Sequence, residues 1–357
     1  MINMNNRERF LNGAYAIEVE NGRLNTSCPD VEGNKEGNNN VTYTKTIGGK
    51  GYVSAPCIKK NMKDFMKLCG NEISQYIGVP AKNKTESSKI KVEAHPFKNI
   101  NEDVFGFMKA ESVKLTKEEF DKLDKNQQKI YNQKGKEYVN NATKKRDGKF
   151  KLNGLIGLGI NKVKKEFGIC STDNSYPMLF KSQKYSDVMQ GLFNFEIDRV
   201  GKFIVSENAT KLRDYTESEV EILGISNELS REERLNRIEV TLRALQSLKL
   251  QSNQSNDLVD TMPKIIILGE YAWGNNMFQG IINKDGINIV ALKEKLDNKL
   301  NESFRLSKIW IGIDSSLRSI NIDKEQLKQE LEGYDVEITT VREAFDNYID
   351  YVKETLV

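Results

Sequence analysis

The sequence is poorest in histidine and cysteine, and this limits the chemistry that the protein can perform. Of its 357 residues only His95 is a histidine, which excludes a histidine-rich metal site and any catalytic triad that does not use this residue. His95 precedes Pro96 between polar stretches, so we interpret it as a loop residue. The four cysteines are too far apart for a C-x-x-C metal site and too few to cross-link the chain: Cys28, Cys57, Cys69 and Cys170. We expect reduced cysteines, no bound metal and no cofactor.

Long apolar runs are also absent. The run Ile265 to Leu268 is purely aliphatic, but a membrane span needs about 18 apolar residues. The first nine residues lack the apolar core of a secretory signal. The hydrophobic content of 38% is nevertheless enough for a globular core. We therefore expect a soluble, cytoplasmic protein without a membrane partner.

Basic residues are concentrated in two segments, although the net charge is only +3. Residues 129–165 carry eleven Lys or Arg and two acidic residues, which gives 11 − 2 = +9 and leaves 3 − 9 = −6 for the rest. The second segment, 45–67, carries six lysines and Asp64 as its one acidic residue. Such segments fit a polyanion-binding surface, because phosphate contacts are Coulombic and release counterions. A solvated lysine face remains the alternative.

The order of apolar patterns predicts an α+β protein. Phe10 to Glu20 is typical of a first strand, and the runs 263–269 and 309–314 are typical of covered central strands. Ser54 and Pro56 predict the start of a basic helix with Lys59, Lys60, Lys63 and Lys67 on its polar sides. Further strands or helices are predicted at 41–46, 116–131, 185–206, 231–250, 289–301 and 341–357. The long segments between them indicate large insertions in a sheet domain.

Two short motifs resemble functional patterns, but we interpret both as structural. Gly154 to Gly159 resembles a dinucleotide-binding loop, but the order is G-x-x-G-x-G and no clear strand precedes it. We interpret it as a flexible glycine hinge in a basic arm. Phe105 to Met108 matches part of an aromatic RNA-binding pattern, and we interpret it as a buried aromatic plug.

Nuclease chemistry would need grouped carboxylates or one acid placed over a phosphate. The sequence places no D-x-D or E-x-K group at a predicted strand end. Asp30, in an Asn/Gly-rich loop, is the one acid positioned to meet bound RNA, and the alternative is a turn-forming role before a glycine. Both interpretations stay open.

Six short segments, in one order over most of the chain, carry a family resemblance. They are 11–16 (LNGAYA), 48–55 (GGKGYVSA), 103–108 (DVFGFM), 191–203 (beginning GLF and ending VGKF), 260–263 (DTMP) and 274–276 (GNN). In these segments the chain resembles the DevR branch of CRISPR-associated proteins, the RAMP-superfamily backbone subunit of type I-B Cascade.

The resemblance implies an α+β fold with an RRM-like (ferredoxin-like) palm at 1–60 and 185–357, a helical insertion at 61–150 and a protruding thumb at 151–184. It also implies an RNA-binding protein of antiviral defence without catalysis. Copies would polymerise along the guide RNA (crRNA), hold it through sugar and phosphate, and present its bases to target DNA beside other Cascade subunits.

The resemblance also implies three sets of contact residues. Guide RNA would contact Asn12, Lys45, Ser54, Lys59, Lys60, Lys63, Asn275 and Asn276. Nucleic-acid contacts of the thumb would be Lys151, Lys162, Lys164, Lys165, Lys181 and Lys184, with Met178, Leu179 or Phe180 as an apolar wedge. Target DNA would contact Lys144, Lys145, Arg146 and Lys149. Relatives carry an Arg-Thr-Ser-Pro-like run in the thumb where this chain has 170–175 (CSTDNS), so the thumb tip is not assigned.

Two alternatives to this structural role remain. A guide-dependent RNA-cleaving subunit of the type III kind would use Asp30 as its catalyst. An autoregulator of transcription would bind a defined DNA duplex without a guide.

Overall fold

The computed structural model describes residues 8–27, 41–79, 89–110, 113–123, 125–128, 131–140, 143–170, 173, 176–206, 213–250 and 257–357. The chain divides into two units. Unit 1 comprises residues 1–65, 150–198 and 239–357, and unit 2 comprises residues 66–149 and 199–238. The predicted palm included 199–238, which groups with unit 2, and the three-part division with a thumb at 151–184 stays a prediction.

The strands, in chain order, are β1 Phe10–Gly22, β2 Thr26–Ser27, β3 Val41–Thr44, β4 Thr46–Ile47, β5 Lys50–Val53, β6 Ile77–Val79, β7 Lys89–Lys91, β8 Gly106–Ala110, β9 Val113–Leu115, β10 Asn132–Lys134, β11 Glu137–Asn140, β12 Thr143–Asp147, β13 Phe150–Leu152, β14 Leu155–Gly157, β15 Lys164–Cys170, β16 Met178–Glu196, β17 Val205–Ser206, β18 Tyr215–Thr216, β19 Pro263–Tyr271, β20 Ile282–Asn283, β21 Gly286–Ile287, β22 Arg305–Ile313 and β23 Val336–Thr339. The α-helices are α1 Ala55–Leu68, α2 Ile100–Phe105, α3 Lys117–Asp121, α4 Lys125–Gln128, α5 Glu217–Leu223, α6 Arg231–Gln246, α7 Ile289–Leu296, α8 Lys299–Phe304, α9 Lys324–Glu330 and α10 Val341–Thr355. Within the described ranges, no helix is long and apolar enough to span a membrane.

The central sheet of unit 1 is built around β1. Its strand order is β23-β22-β19-β1-β16-β14-β5-β4. Strand β1 is antiparallel to β16 on one side and to β19 on the other. Strands β16 and β19 therefore run in the same direction, which is the pairing of an RRM-like sheet. The predicted α+β, RRM-like class is confirmed.

The core of unit 1 lies on the central strands. All nine residues of β19 are buried, as expected for a strand covered on both faces. Helix α10 packs Tyr348 against Trp310 of β22, with ring centroids 5.6 Å apart. The one carboxylate of β19, Glu270, accepts hydrogen bonds from Arg9 Nε at 2.9 Å and from the Tyr348 hydroxyl at 2.8 Å. These partners offset the cost of burying its charge.

Unit 2 contains strands as well as the predicted helices. Thr116 forms the predicted capping box with Glu119, but α3 ends at Asp121, so the prediction of a helix to residue 131 is wrong. Strands β10 and β11 pair as a hairpin around a turn in which Gly135 has φ +64°. The Tyr138 ring of this hairpin stacks on Phe120 at 3.8 Å. The predicted range therefore holds two short helices, α3 and α4, and the hairpin follows them in the chain.

The glycine-rich segment at 154–159 contains strand β14 of the central sheet, so its interpretation as a glycine hinge in a basic arm is wrong. The backbone N–H groups of Gly159 and Ile160 donate hydrogen bonds to the Asp187 carboxylate at 2.9 and 3.0 Å. A Cβ at Gly157 would lie 2.4 Å from the same carboxylate. Asp187 is buried, and burial raises its pKa against the opposing effect of these hydrogen bonds. The glycines let the backbone close tightly around one carboxylate.

An ionic network forms the interior of unit 2. Asp103 accepts hydrogen bonds from Arg146, from Arg237 Nη1 at 2.9 Å and from the backbone N–H of Gly201 at 3.0 Å. Arg146 also donates to Asp214 at 2.6 Å. All four charged side chains are buried. Burial raises the pKa of Asp214, while the Arg146 guanidinium opposes this shift. The network joins strand β12, helices α2 and α6 and the residue before β18 through charge-assisted hydrogen bonds.

The close packing of Gly13 predicts a stability effect. A Cβ at this position would lie 2.1 Å from the Phe193 ring, which is itself stacked on Phe150 with centroids 5.2 Å apart. Because the ring has no room to retreat, Gly13→Ala should lower the free energy of unfolding by about 1–3 kcal/mol. Urea unfolding followed by circular dichroism measures this. Gly78→Ala is the control, since a Cβ there meets nothing within 4 Å; equal losses in both variants would contradict the packing argument.

A second prediction concerns the ionic network. Asp103→Ala leaves two buried guanidinium groups, those of Arg146 and Arg237, without their shared carboxylate. The expected loss is about 3–5 kcal/mol, because an uncompensated buried charge costs more than a surface pair contributes. Asp147→Ala is the control in the same unit. It breaks an exposed pair with Lys145 at 2.7 Å, which should cost at most about 1 kcal/mol. Similar midpoints of unfolding for the two variants would contradict this account.

Candidate nucleic-acid interface

Helix α1 carries the basic face that the sequence predicts. It begins directly after Ser54, whose carbonyl oxygen accepts hydrogen bonds from the N–H groups of Cys57 at 3.0 Å and Ile58 at 3.2 Å. Ile58 and Met62 are fully buried. This fixes the helix rotation, so that Lys59, Lys60 and Lys63 lie away from the core.

Two of these lysines differ from the third in their surroundings. Lys60 is exposed and forms a 2.7 Å ion pair with Asp64. Partial burial, and secondarily the neighbouring Lys63 ammonium, lower the pKa of Lys59. Partial burial also lowers the pKa of Lys63. A phosphate oxygen near Lys59 and Lys63 would favour their charged forms and offset this desolvation.

Lys45 lies close to the start of the same helix. Its ammonium is 5.2 Å from the centroid of the Tyr52 ring, a cation–π contact on the strand that leads into α1. Burial raises the pKa of Cys57, and the ammonium groups of Lys60 and Lys45 oppose that shift. Lys45, Ser54 and the α1 lysines are therefore brought together in unit 1.

The three predicted asparagine contacts have different outcomes. Asn12 is completely buried in β1, where its amide donates to the Phe10 carbonyl at 3.1 Å and its oxygen accepts from Asn194 at 3.3 Å. Its prediction as an RNA contact is corrected: the side chain bonds within the sheet. Asn276 donates to the carbonyl oxygens of Gly13 at 3.1 Å and Phe193 at 2.9 Å and so holds its own loop. Asn275 is exposed.

The β15–β16 hairpin carries an exposed apolar face. Phe167 lies opposite Lys181, and Ile169 lies opposite Leu179, so these four side chains share one face. The exposed fractions of Phe167, Ile169 and Leu179 are 68, 66 and 62%. The Lys181 ammonium is 5.3 Å from the Phe167 ring centroid. Phe167 and Ile169 were not predicted from the sequence, although their alternation around Gly168 is a strand signal.

On the opposite face of this hairpin, Phe180 covers Gly168. A Cβ at Gly168 would lie 2.1 Å from the Phe180 ring, so the glycine makes room for this ring. Met178 pairs with Cys170 at the far end of the hairpin. The predicted wedge residues therefore divide between two faces: Leu179 lies with the exposed apolar group, and Phe180 lies over the glycine.

The predicted lysines of this region differ in their ion pairs and in their exposure. Lys184 bonds Glu166 at 2.7 Å and the buried Asp257 at 3.1 Å, and its hydrogen bond to Glu166 is the main cause of its raised pKa. Lys151 pairs with Glu196. Lys162, Lys164 and Lys165 are exposed. Because they are exposed, these last three are accessible to a phosphate.

The predicted target-DNA set needs a correction. Arg146 belongs to the buried ionic network of unit 2, and Lys144 is buried with its ammonium 3.0 Å from Glu219 and 4.8 Å from the Tyr215 ring centroid. Neither side chain presents its charge at a surface, because each is buried and paired with an acid. Lys145 is exposed beside Asp147, and Lys149 is half-buried. Only these two remain as candidates in the set.

The described residues contain no group of three His, Cys, Asp or Glu side chains that could hold a metal ion. Asp30, the acid considered for catalysis, lies outside the described residues.

Comparisons with known proteins give structural matches alone. No protein-family model and no curated protein sequence matches this chain. A solved chain titled "CRISPR RNA-guided surveillance complex, pre-nicking" is similar with a TM-score of 0.50 at 10% sequence identity, covering 96% of this chain and 99% of that one. A second, titled "CRISPR RNA-guided surveillance complex", has a TM-score of 0.48 at 12% identity with the same two coverages. At such identities, the match at 0.50 shows that the fold is shared.

Proposed function

We propose that this chain is a non-catalytic, RNA-binding backbone subunit of a CRISPR surveillance complex, of the DevR branch and type I-B. It holds guide RNA through sugar and phosphate and leaves the bases to pair with target DNA. Further copies of the chain and other Cascade subunits lie beside it on the guide. It acts in the cytoplasm and needs no cofactor.

The observation that carries this proposal is the β15–β16 hairpin. It combines an exposed apolar face of Phe167, Ile169 and Leu179 with the ammonium group of Lys181 on one side of two strands. Single-stranded nucleic acid presents the matching pair of features, since its bases are apolar on their faces and its backbone is anionic. Such a surface tolerates any sequence, because it contacts no base edge that carries sequence information.

The basic face of α1 supports the same function. Its lysines are point charges that attract a phosphate without reading a base. They lie on a rigid helix whose rotation is fixed by the buried Ile58 and Met62. A rigid cationic face is suited to holding a backbone in one path.

The wider assignment rests on two independent similarities. Six segments of the sequence resemble the type I-B backbone subunit, and the fold is shared with a chain of an RNA-guided surveillance complex. In such a complex, base pairing reads the target sequence, so the protein needs cations and apolar contacts more than groups that recognise base edges.

The α1 lysines should set an RNA affinity that does not depend on sequence. Lys59→Ala with Lys63→Ala should weaken binding of unrelated single-stranded RNAs by the same factor, because only phosphate contacts are lost. The slope of log Kd against log salt concentration should fall by about 0.7 per lost contact. Fluorescence anisotropy with labelled oligonucleotides at several salt concentrations measures both quantities.

The control for this pair is Lys60→Ala on the same helix. Lys60→Ala removes one ammonium group instead of two, so it should change the affinity less than the double variant does. If the loss of affinity differed between RNA sequences, binding through the RNA backbone alone would be contradicted.

The absence of catalysis is tested with target RNA. An assembled guide complex incubated with matched RNA and Mg²⁺ should leave the RNA intact over the time in which target binding saturates. Denaturing gel electrophoresis reads the product lengths. Cuts at regular spacing that disappear in Asp30→Ala would establish the RNA-cleaving alternative and overturn the non-catalytic proposal.

A further inference from the structure

Trp273 has an unusually exposed side chain for a tryptophan. The chain has two tryptophans. Trp310 is buried against Tyr348, whereas 62% of Trp273 is exposed, in the loop of residues 272–276 that follows β19. Tryptophan is highly buried on average, since its large apolar ring gains most from leaving water. An exposed indole therefore suggests a surface that a ligand covers.

The loop that carries Trp273 is held in one conformation. The N–H group of Ala272 donates to the Phe304 carbonyl at 2.7 Å, and the Asn276 amide bonds two carbonyl oxygens of the central sheet. A Cβ at Gly274 would lie 3.1 Å from the Phe10 ring, so this glycine packs closely against β1. The indole is thus presented by a preorganised loop and loses little entropy on binding.

The surroundings of the ring suit a planar, polar-edged ligand. The Phe304 ring supports the indole with centroids 6.4 Å apart and an interplanar angle of 31°. Asn275, two residues on, is exposed and carries an amide that can donate or accept. A supported aromatic face with an exposed amide on the same loop has the composition of a base-stacking site on single-stranded nucleic acid.

The strand that leads into this loop and the strand that leads into α1 run in the same direction. Strand β5 is antiparallel to β14, β14 is antiparallel to β16, and β16 is antiparallel to β1. Strand β19 is also antiparallel to β1. The carboxyl ends of β5 and β19 therefore point to the same edge, and these ends continue into the basic helix and into the Trp273 loop.

We propose that Trp273 is a stacking platform for one unpaired base of bound single-stranded RNA. This proposal rests on the proposed RNA-binding function and adds a base contact to a surface otherwise described by cations. The contact is independent of sequence, because every base has a π-face. An indole that binds a protein partner is the competing explanation, and it is an outcome of the test below.

The two tryptophans make the test direct. Exposed Trp273 emits at longer wavelength than buried Trp310, so quenching at the red edge reports on Trp273. A uridine-rich RNA should quench this emission, and an abasic oligonucleotide of equal length and charge should not. The red-edge signal should be missing in Trp273→Phe. Trp273→Ala should weaken RNA binding by about 5- to 150-fold, the range measured for loss of one stacked base.

Leu300→Ala is the matched control, because Leu300 is equally exposed on α8 but has no ring. Its RNA affinity should equal that of the wild type. Equal binding of base-bearing and abasic strands without quenching would overturn the stacking proposal alone. So would a Trp273→Ala variant that keeps its RNA affinity but loses self-association in sedimentation velocity. Failure of the wild type to bind any oligonucleotide would instead overturn the proposed function.

Discussion

The antiparallel pairing of β1 with β16 is the interaction on which unit 1 depends. Strand β16 has 19 residues, and only its second part, from Tyr185 to Glu196, pairs with β1. The first part pairs with β15 and forms the exposed hairpin. One continuous strand thus connects the core to the candidate RNA surface. Because Gly13 and Gly191 of this pairing leave room for the rings of Phe193 and Tyr15, the register cannot shift without a clash.

Unit 1 carries three rigid features of different chemistry that support the proposed RNA binding. The α1 lysines supply positive charge, the hairpin supplies an exposed apolar face with a cation, and the loop after β19 supplies an indole. Each is anchored to the sheet by buried side chains or backbone hydrogen bonds, so none has to be ordered by the ligand. Preorganisation of this kind favours binding that depends on the shape and charge of the RNA backbone rather than on its sequence.

Unit 2 uses basic residues in a different way. Arg146 and Arg237 share the carboxylate of Asp103, and Lys144 pairs with Glu219 beneath a tyrosine ring. In a segment that is strongly cationic in sequence, some of the cationic side chains are therefore buried in ion pairs. The exposed cations that remain, such as Lys145, are fewer than the count of eleven suggests. Charge density along a sequence overstates the charge available to a polyanion whenever buried acids take up the cations.

The sequence by itself determined the features that local chemistry specifies. Ser54 directly precedes α1, and Thr116 forms the capping box of α3. The aliphatic run in β19 is a buried strand. These features follow from the local sequence because capping and periodicity act over a few residues. Tertiary structure alone decided which polar side chains are buried. Asp103 and Asp214 lie 43 and 68 residues from Arg146, and Asn12 bonds an asparagine 182 residues away. Burial of a charge depends on such distant partners, and local sequence patterns do not identify them.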